Sequence, residues 1–417
     1  MLNLFSRRQP PTEVFTPRSP NVNTQMYIPR NDLESRLQRG LDETFQLILH
    51  GESGSGKSWL YKKVFADLEV EYFVANMASA LTAGSINSEL NSLLADGSFE
   101  KTAYTETKSA SVNVVVAEGQ LDHAAEYQLK KVHPFLGVLE KLRRKAGSKK
   151  ACLVFDNFEQ LLQKTELIVE LGSLIVLMDD ERYAKHEVTL LIVGVPSDIK
   201  DYFTRVPNGT TIANRVRELP EVARLSNDGA EQLARKGFEL LKFRWASAEQ
   251  EALVLKHIVW VTDRIPQHLH EYCLELSYLA EKNGDVLSES LLDNADKQWL
   301  QGSLLSACAQ VEKVMNAVRT TAGRRNQTLY ALSKCDKEEF GPTDIEPIVR
   351  SEFPASTLGV KLNISATLSE VAVDGAQPGV IRRTPRGDAY RFASPVYRMC
   401  LRALLRKNSE TVEKISF

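Results

Sequence analysis

Apolar positions change their spacing several times along this chain, and the changes mark out its elements. Nearly continuous apolar runs at 45–50 (Phe45-Gln46-Leu47-Ile48-Leu49-His50), 70–75, 151–156 and 188–195 are short enough to be buried strands. Between and around them the period lengthens to three or four. Leu33, Leu37 and Leu41, then Ile86, Leu90, Leu93 and Leu94, then Leu129, Val132, Phe135, Leu136 and Leu139 each predict a helix. Such alternation predicts an α/β core built on a parallel sheet. Residues 226–300 read as helical throughout, with Ser226 as an N-cap and further helices over 249–261 and from Ile265 onward. Beyond 304, helices are predicted near 304–321, 326–335, 343–352 and 361–373. Residues 378–392 then read as two strands joined at the Gly387-Asp388 turn.

Two stretches lack a sustained period. Residues 1–25 are polar with several prolines and read as a flexible N-terminal arm. At about 98–127, alternating threonines and serines lead into Val112-Asn113-Val114-Val115-Val116, which predicts a hairpin or flexible insertion between core elements. The domain boundaries that follow are an arm at 1–25, a core at 26–225, a helical segment at 226–303 and a last domain at 304–417.

Composition narrows the class. A chain of 417 residues supports roughly two to four domains. The net charge of −2 gives no global attraction to nucleic acid, so any such surface must be local. Five scattered cysteines without C-x-x-C spacing argue against a zinc site or a disulfide framework and for a reducing, cytoplasmic compartment. No apolar run reaches membrane-spanning length, so no membrane partner is expected.

The sharpest chemistry lies at Gly51-Glu52-Ser53-Gly54-Ser55-Gly56-Lys57-Ser58, a full match to G-x-x-x-x-G-K-[ST] between a predicted strand and the helix that opens with Trp59. The glycines let successive backbone N–H groups turn toward a β-phosphate, and the helix start adds partial positive charge. Lys57 would neutralise β- and γ-phosphates, and Ser58 would complete a Mg²⁺ shell. Asp156, closing the apolar run 151–156, is the expected carboxylate partner of that ion. Ser197, after the 188–195 strand, either senses a γ-phosphate or caps a helix. Of Arg215 and Arg217, Arg215 is the candidate to reach a neighbouring subunit's γ-phosphate, an ordinary ion pair being the alternative. Arg264 and His268 lie where a helical lid would meet phosphate. Three helices followed by a hairpin make a winged helix, whose wing carries Arg382, Arg383, Arg386 and Arg391 as candidate DNA-phosphate contacts. The candidate recognition helix, 361–370, is nearly neutral, so a protein-binding role for this domain stays open.

Taken in order from Tyr27 to Arg406, these features resemble an AAA+ ATPase of the initiator type: P-loop core, helical lid and C-terminal winged helix, as in origin-recognition proteins. The phrase Leu153-Val154-Phe155-Asp156-Asn157-Phe158-Glu159-Gln160-Leu161-Leu162 also resembles the corresponding strand of STAND-type regulatory ATPases. The resemblance implies ATP with Mg²⁺, a nucleotide at a subunit interface and a homo-oligomer. It implies an ATPase that engages DNA or, alternatively, a regulator in bacterial antiviral defence or signalling that activates a separate effector protein. It offers Tyr27 and Ile28 a place beside adenine, with packing into the general core as the preferred reading. Many AAA+ enzymes carry Glu directly after the strand-end Asp. Here Asn157 stands there, so Glu159 is the candidate for polarising water, or hydrolysis is slow.

Overall fold

The structure, a computed structural model, describes residues 8–43, 45–95, 133–195, 199–205, 207, 209–315, 324–372, 379–384 and 387–416. The insertion expected at 98–127 lies outside the described residues. By contact the chain forms two units.

The first comprises Asn31–Gly51 and Leu60–Glu221. Its centre is a five-stranded parallel sheet in the order β2-β3-β4-β1-β5, with β1 Gln46–His50, β2 Glu71–Asn76, β3 Ala151–Asp156, β4 Val188–Gly194 and β5 Val216–Glu218. Every residue of β1 is buried, as are the first five of β3, because helices cover both faces of such a sheet. Register places Leu47 beside Leu191 and Asn76 beside Asp156. The helix Pro134–Ala146 buries Phe135, Val138, Leu139, Leu142 and Ala146 on one stripe. The helix Ile86–Leu94 is capped from outside: the Glu170 carboxylate accepts the N–H groups of Ile86 and Asn87 at 2.8 and 2.9 Å.

The second unit comprises Met1–Arg30, Glu52–Trp59 and Val222–Phe417. Helices Asn227–Leu240, Ala248–Val261 and Pro266–Lys282 pack around one apolar cluster. The stretch expected to be wholly helical also holds a parallel pair, Arg244–Trp245 with Val286–Leu287, each strand too short to leave a periodic signal. The same cluster continues into helices Arg324–Lys334, Pro342–Glu352 and Ile364–Val371 and the antiparallel strands Ile381–Arg383 and Tyr390–Phe392, the arrangement of a winged helix. A further helix, Pro395–Leu404, and a terminal hairpin, Leu405–Asn408 with Thr411–Lys414, complete it.

The N-terminal segment is not a loose arm from residue 8 onward. Phe15 is fully buried, edge-on to Phe238 at 5.3 Å, and Val14 and Met26 are buried with it. Three apolar side chains in a short helix and a loop suffice to anchor the segment, although their spacing shows no period.

Candidate functional site

The phosphate loop begins where β1 ends and runs into the helix Lys57–Asp67. Gly54 and Gly56 hold φ of +79° and +93°, which L side chains rarely adopt. A Cβ at Gly54 would stand 3.0 Å from Gln267 Cβ and 3.2 Å from Ile265 Cγ2, so the loop also needs glycine for space. The Gln267 N–H donates to the Gly54 carbonyl at 3.2 Å. Lys57 Nζ donates to the Glu52 carbonyl at 2.9 Å, which keeps the ammonium at the loop. Ser55 is fully buried and its hydroxyl has no hydrogen-bond partner among the described residues. Ser53 is exposed at the tip, and Ser58 is half-buried in the first turn of the helix. The indole of Trp59 donates to the Ser19 carbonyl at 3.0 Å and meets His270 edge-on at 5.5 Å. Positive-φ glycines, an ammonium held by its own loop and a helix start together fit a polyphosphate ligand.

Sequence reasoning missed the residues that brace this loop. Arg30 donates to the Ser55 carbonyl at 2.8 Å and to the Ala223 carbonyl at 3.0 Å. Arg224 grips the Glu52 carboxylate with Nε and Nη2 at 2.9 and 3.0 Å. Burial would lower the Arg224 pKa, but its hydrogen bond to Glu52 and the charges of Asp263 and Glu338 outweigh that and raise it. Arg30 stands just before the helix predicted from Leu33, Leu37 and Leu41, which is a faint signal. Nothing in the sequence marks Arg224.

In the sheet unit, Asp156 closes β3 half-buried, its Oδ1 accepting the Asn157 N–H at 2.9 Å. Its charge also adds to burial, the larger cause, in raising the pKa of Tyr61. Asn157 adopts φ +65°, and its carboxamide donates to Asn76 Oδ1 at 3.0 Å. Glu159 Oε2 accepts the Val195 N–H at 3.2 Å at the end of β4. Arg215 pairs with Asp179 and donates to the Thr211 carbonyl, while Arg217 pairs with Glu43. Ser197 and Arg386 lie outside the described residues.

In the helical unit, His268 does not face open space. It is buried, with Nδ1 2.8 Å from Glu271, because Glu271 follows one helical turn later. Arg264 reaches Asn227 at 3.2 Å. Ile28 packs on the helical core, 3.4 Å from where a Cβ on Gly229 would be. On the wing, Arg382 and Arg391 stand directly opposite each other across the hairpin. Arg383 donates to Ser369 Oγ at 3.1 Å and lies over the Tyr390 ring. Among the described residues no helix is long and apolar enough to cross a membrane.

Residues 45–203 match the family described as AAA domain. The matched segment spans the phosphate loop and the strands from β1 to β4. The P-loop of such a domain implies a nucleotide ligand. Among curated proteins none matches the sequence. Among solved structures, the Walker-type ATPase paby2304 of Pyrococcus abyssi is similar at 14% identity and TM-score 0.47, covering 90% of this chain and 96% of that one. The Aeropyrum pernix ORC2 protein is similar at 12% identity and TM-score 0.44, covering 94% and 96%. Thermotoga maritima RuvB, a Holliday junction branch migration motor, gives 11% identity and TM-score 0.42, covering 89% and 94%.

Proposed function

We propose that this chain is an ATP-operated switch that binds magnesium-ATP, hydrolyses it slowly, self-associates and engages duplex DNA through its winged helix. The observation that carries the reading is the phosphate loop: Gly54 and Gly56 in the left-handed region, with Lys57 held at the loop carbonyl. Gly51, Ser53, Gly54, Ser55 and Gly56 supply the backbone cradle, Lys57 neutralises the phosphates, and Ser58 offers its hydroxyl to magnesium. Magnesium, when bound, neutralises charge on the β- and γ-phosphate oxygens. The slow rate follows from Asn157, which cannot accept a proton from water. Glu159 is the next carboxylate after Asp156, and its Oε2 is already engaged by the Val195 N–H.

DNA engagement is supported by the wing. Arg382 stands directly opposite Arg391 and next to Arg383, so the wing concentrates positive charge of the kind that backbone phosphates attract. A second reading is a STAND-like regulator, in which the same domain binds an effector protein. It is favoured by the helix Ile364–Val371, which has no Lys or Arg, and by Leu358 just before it, 85% exposed. Duplex DNA titrations at several salt concentrations separate the two. DNA engagement predicts affinity that falls steeply with salt and a shallower salt slope in the Arg382→Ala/Arg383→Ala variant. Absence of DNA affinity at low salt contradicts it.

A further inference from the structure

An acidic side chain inside a loop that receives a polyphosphate calls for a physical reason, since its charge opposes the ligand. The motif accepts any residue at position 52, so phosphate chemistry does not require Glu52. In this chain the carboxylate is taken by Arg224, whose side chain is only 11% exposed. Arg224 does not stop at the loop. Its Nη1 also reaches Asp263 at 2.7 Å and Glu338 at 2.9 Å. Asp263 is buried and in turn accepts from Arg398 at 3.2 Å and Arg402 at 3.0 Å, both fully buried on the helix Pro395–Leu404. Glu338 closes a parallel path, 3.4 Å from Arg398.

Asp263 is joined to the phosphate loop a second way, through the backbone. Asp263 and Arg264 hold φ of +53° and +60°, an unfavourable conformation for side chains of their kind. The turn they make delivers Gln267, whose N–H meets the Gly54 carbonyl. One buried carboxylate is therefore tied to the loop by an arginine and by a strained turn, and to the C-terminal helix by two more arginines.

We propose that Glu52, Arg224 and Asp263 form a relay that reports occupancy of the phosphate loop to the helix Pro395–Leu404 of the winged-helix region. The inference rests on the nucleotide-binding reading above. A polyphosphate brings negative charge beside the loop and competes with Glu52 for Arg224. Arg224 loosens from Glu52, its hold on Asp263 and Glu338 changes, and the arginines of the C-terminal helix lose part of their counter-charge. Glu52, Arg224 and Asp263 are positioning residues in this scheme and touch no reacting atom.

Hydrogen–deuterium exchange of the full chain, with and without magnesium-ATP, tests the relay at peptides covering 395–404, alongside direct measurement of nucleotide affinity. In the unaltered chain, magnesium-ATP is expected to speed exchange there at least threefold. Glu52→Gln is expected to bind magnesium-ATP at least as tightly, since the loop loses a negative charge, while exchange at 395–404 is already fast and no longer responds. A residue that merely stiffens the loop would weaken binding instead. Glu338→Gln, whose side chain is 65% exposed and off the loop, is expected to shrink the response at least twofold. Binding accompanied by an unchanged exchange response in either variant overturns the relay, as does binding to the unaltered chain with no response at all. Absence of binding to the unaltered chain overturns the nucleotide reading beneath it.

Discussion

Replacing Phe15 by alanine tests whether the N-terminal segment is part of the helical unit. Phe15 is fully buried, edge-on to Phe238 at 5.3 Å and to His270 at 6.0 Å, and lies directly over Gly237. Removing a buried phenyl ring with its cavity term costs about 3–4 kcal/mol, whereas the same change in a loose arm costs nothing measurable. Gly237 supplies an internal control. It sits inside the helix Asn227–Leu240, and a Cβ there would fall 2.2 Å from Phe15 Cζ. Gly237→Ala alone therefore overpacks the site, a cost of about 1–3 kcal/mol that exceeds the roughly 1 kcal/mol gained in helix propensity. In the Phe15→Ala background the ring is gone, only the flexible end of Met26, 3.0 Å away, has to give, and the same substitution becomes stabilising by about 0.5–1 kcal/mol. The sign reversal is the signature. All four tryptophans, Trp59, Trp245, Trp260 and Trp299, belong to this unit, so urea unfolding followed by tryptophan fluorescence reports on it. A cost below about 1 kcal/mol for Phe15→Ala, or the same sign for Gly237→Ala in both backgrounds, refutes the reasoning.

Three other outcomes are expected. Burial pushes the His270 pKa down to about 4, so between that value and its ordinary 6.5 the unfolded chain binds a proton that the folded chain refuses. Stability then falls as pH drops through that window, with a slope of up to about 1.4 kcal/mol per pH unit, and His270→Gln should flatten it in urea unfolding at pH 4 to 7. Glu159→Gln should lower phosphate release roughly 100-fold with nucleotide binding retained, and unchanged turnover removes Glu159 from catalysis. Arg215→Ala should lower turnover of the self-associated protein whereas Asp179→Ala should not. Equal effects from the two would reduce Arg215 to its ion pair with Asp179.

Much of the sheet was legible because its signal is local. A fully buried parallel strand shows as an unbroken apolar run, and β1, β3 and β4 fall on the runs at 45–50, 151–156 and 188–195. The phosphate loop was legible because glycine, lysine and serine are needed at fixed offsets. What escaped depends on partners distant in sequence. Glu52 and Arg224 are 172 residues apart, and Asp263 meets Arg398 and Arg402 across more than 130, so no window of sequence contains such a pair. Phe15 escaped because a segment of polar residues and prolines carries no periodic signal, and its partner Phe238 lies in another part of the chain. The pairing of His268 escaped for the opposite reason. Its partner Glu271 is only three residues away, but a buried His–Glu pair and a histidine near phosphate look alike in sequence.

Everything proposed for this chain requires that the loop between β1 and the helix Lys57–Asp67 hold a nucleoside triphosphate. Calorimetric titration of the full chain with magnesium-ATP tests it most directly. The account predicts saturable binding of one nucleotide per chain, lost in Lys57→Ala and in Gly54→Ala. No heat of binding in the unaltered chain, or equal binding in Lys57→Ala, would contradict it.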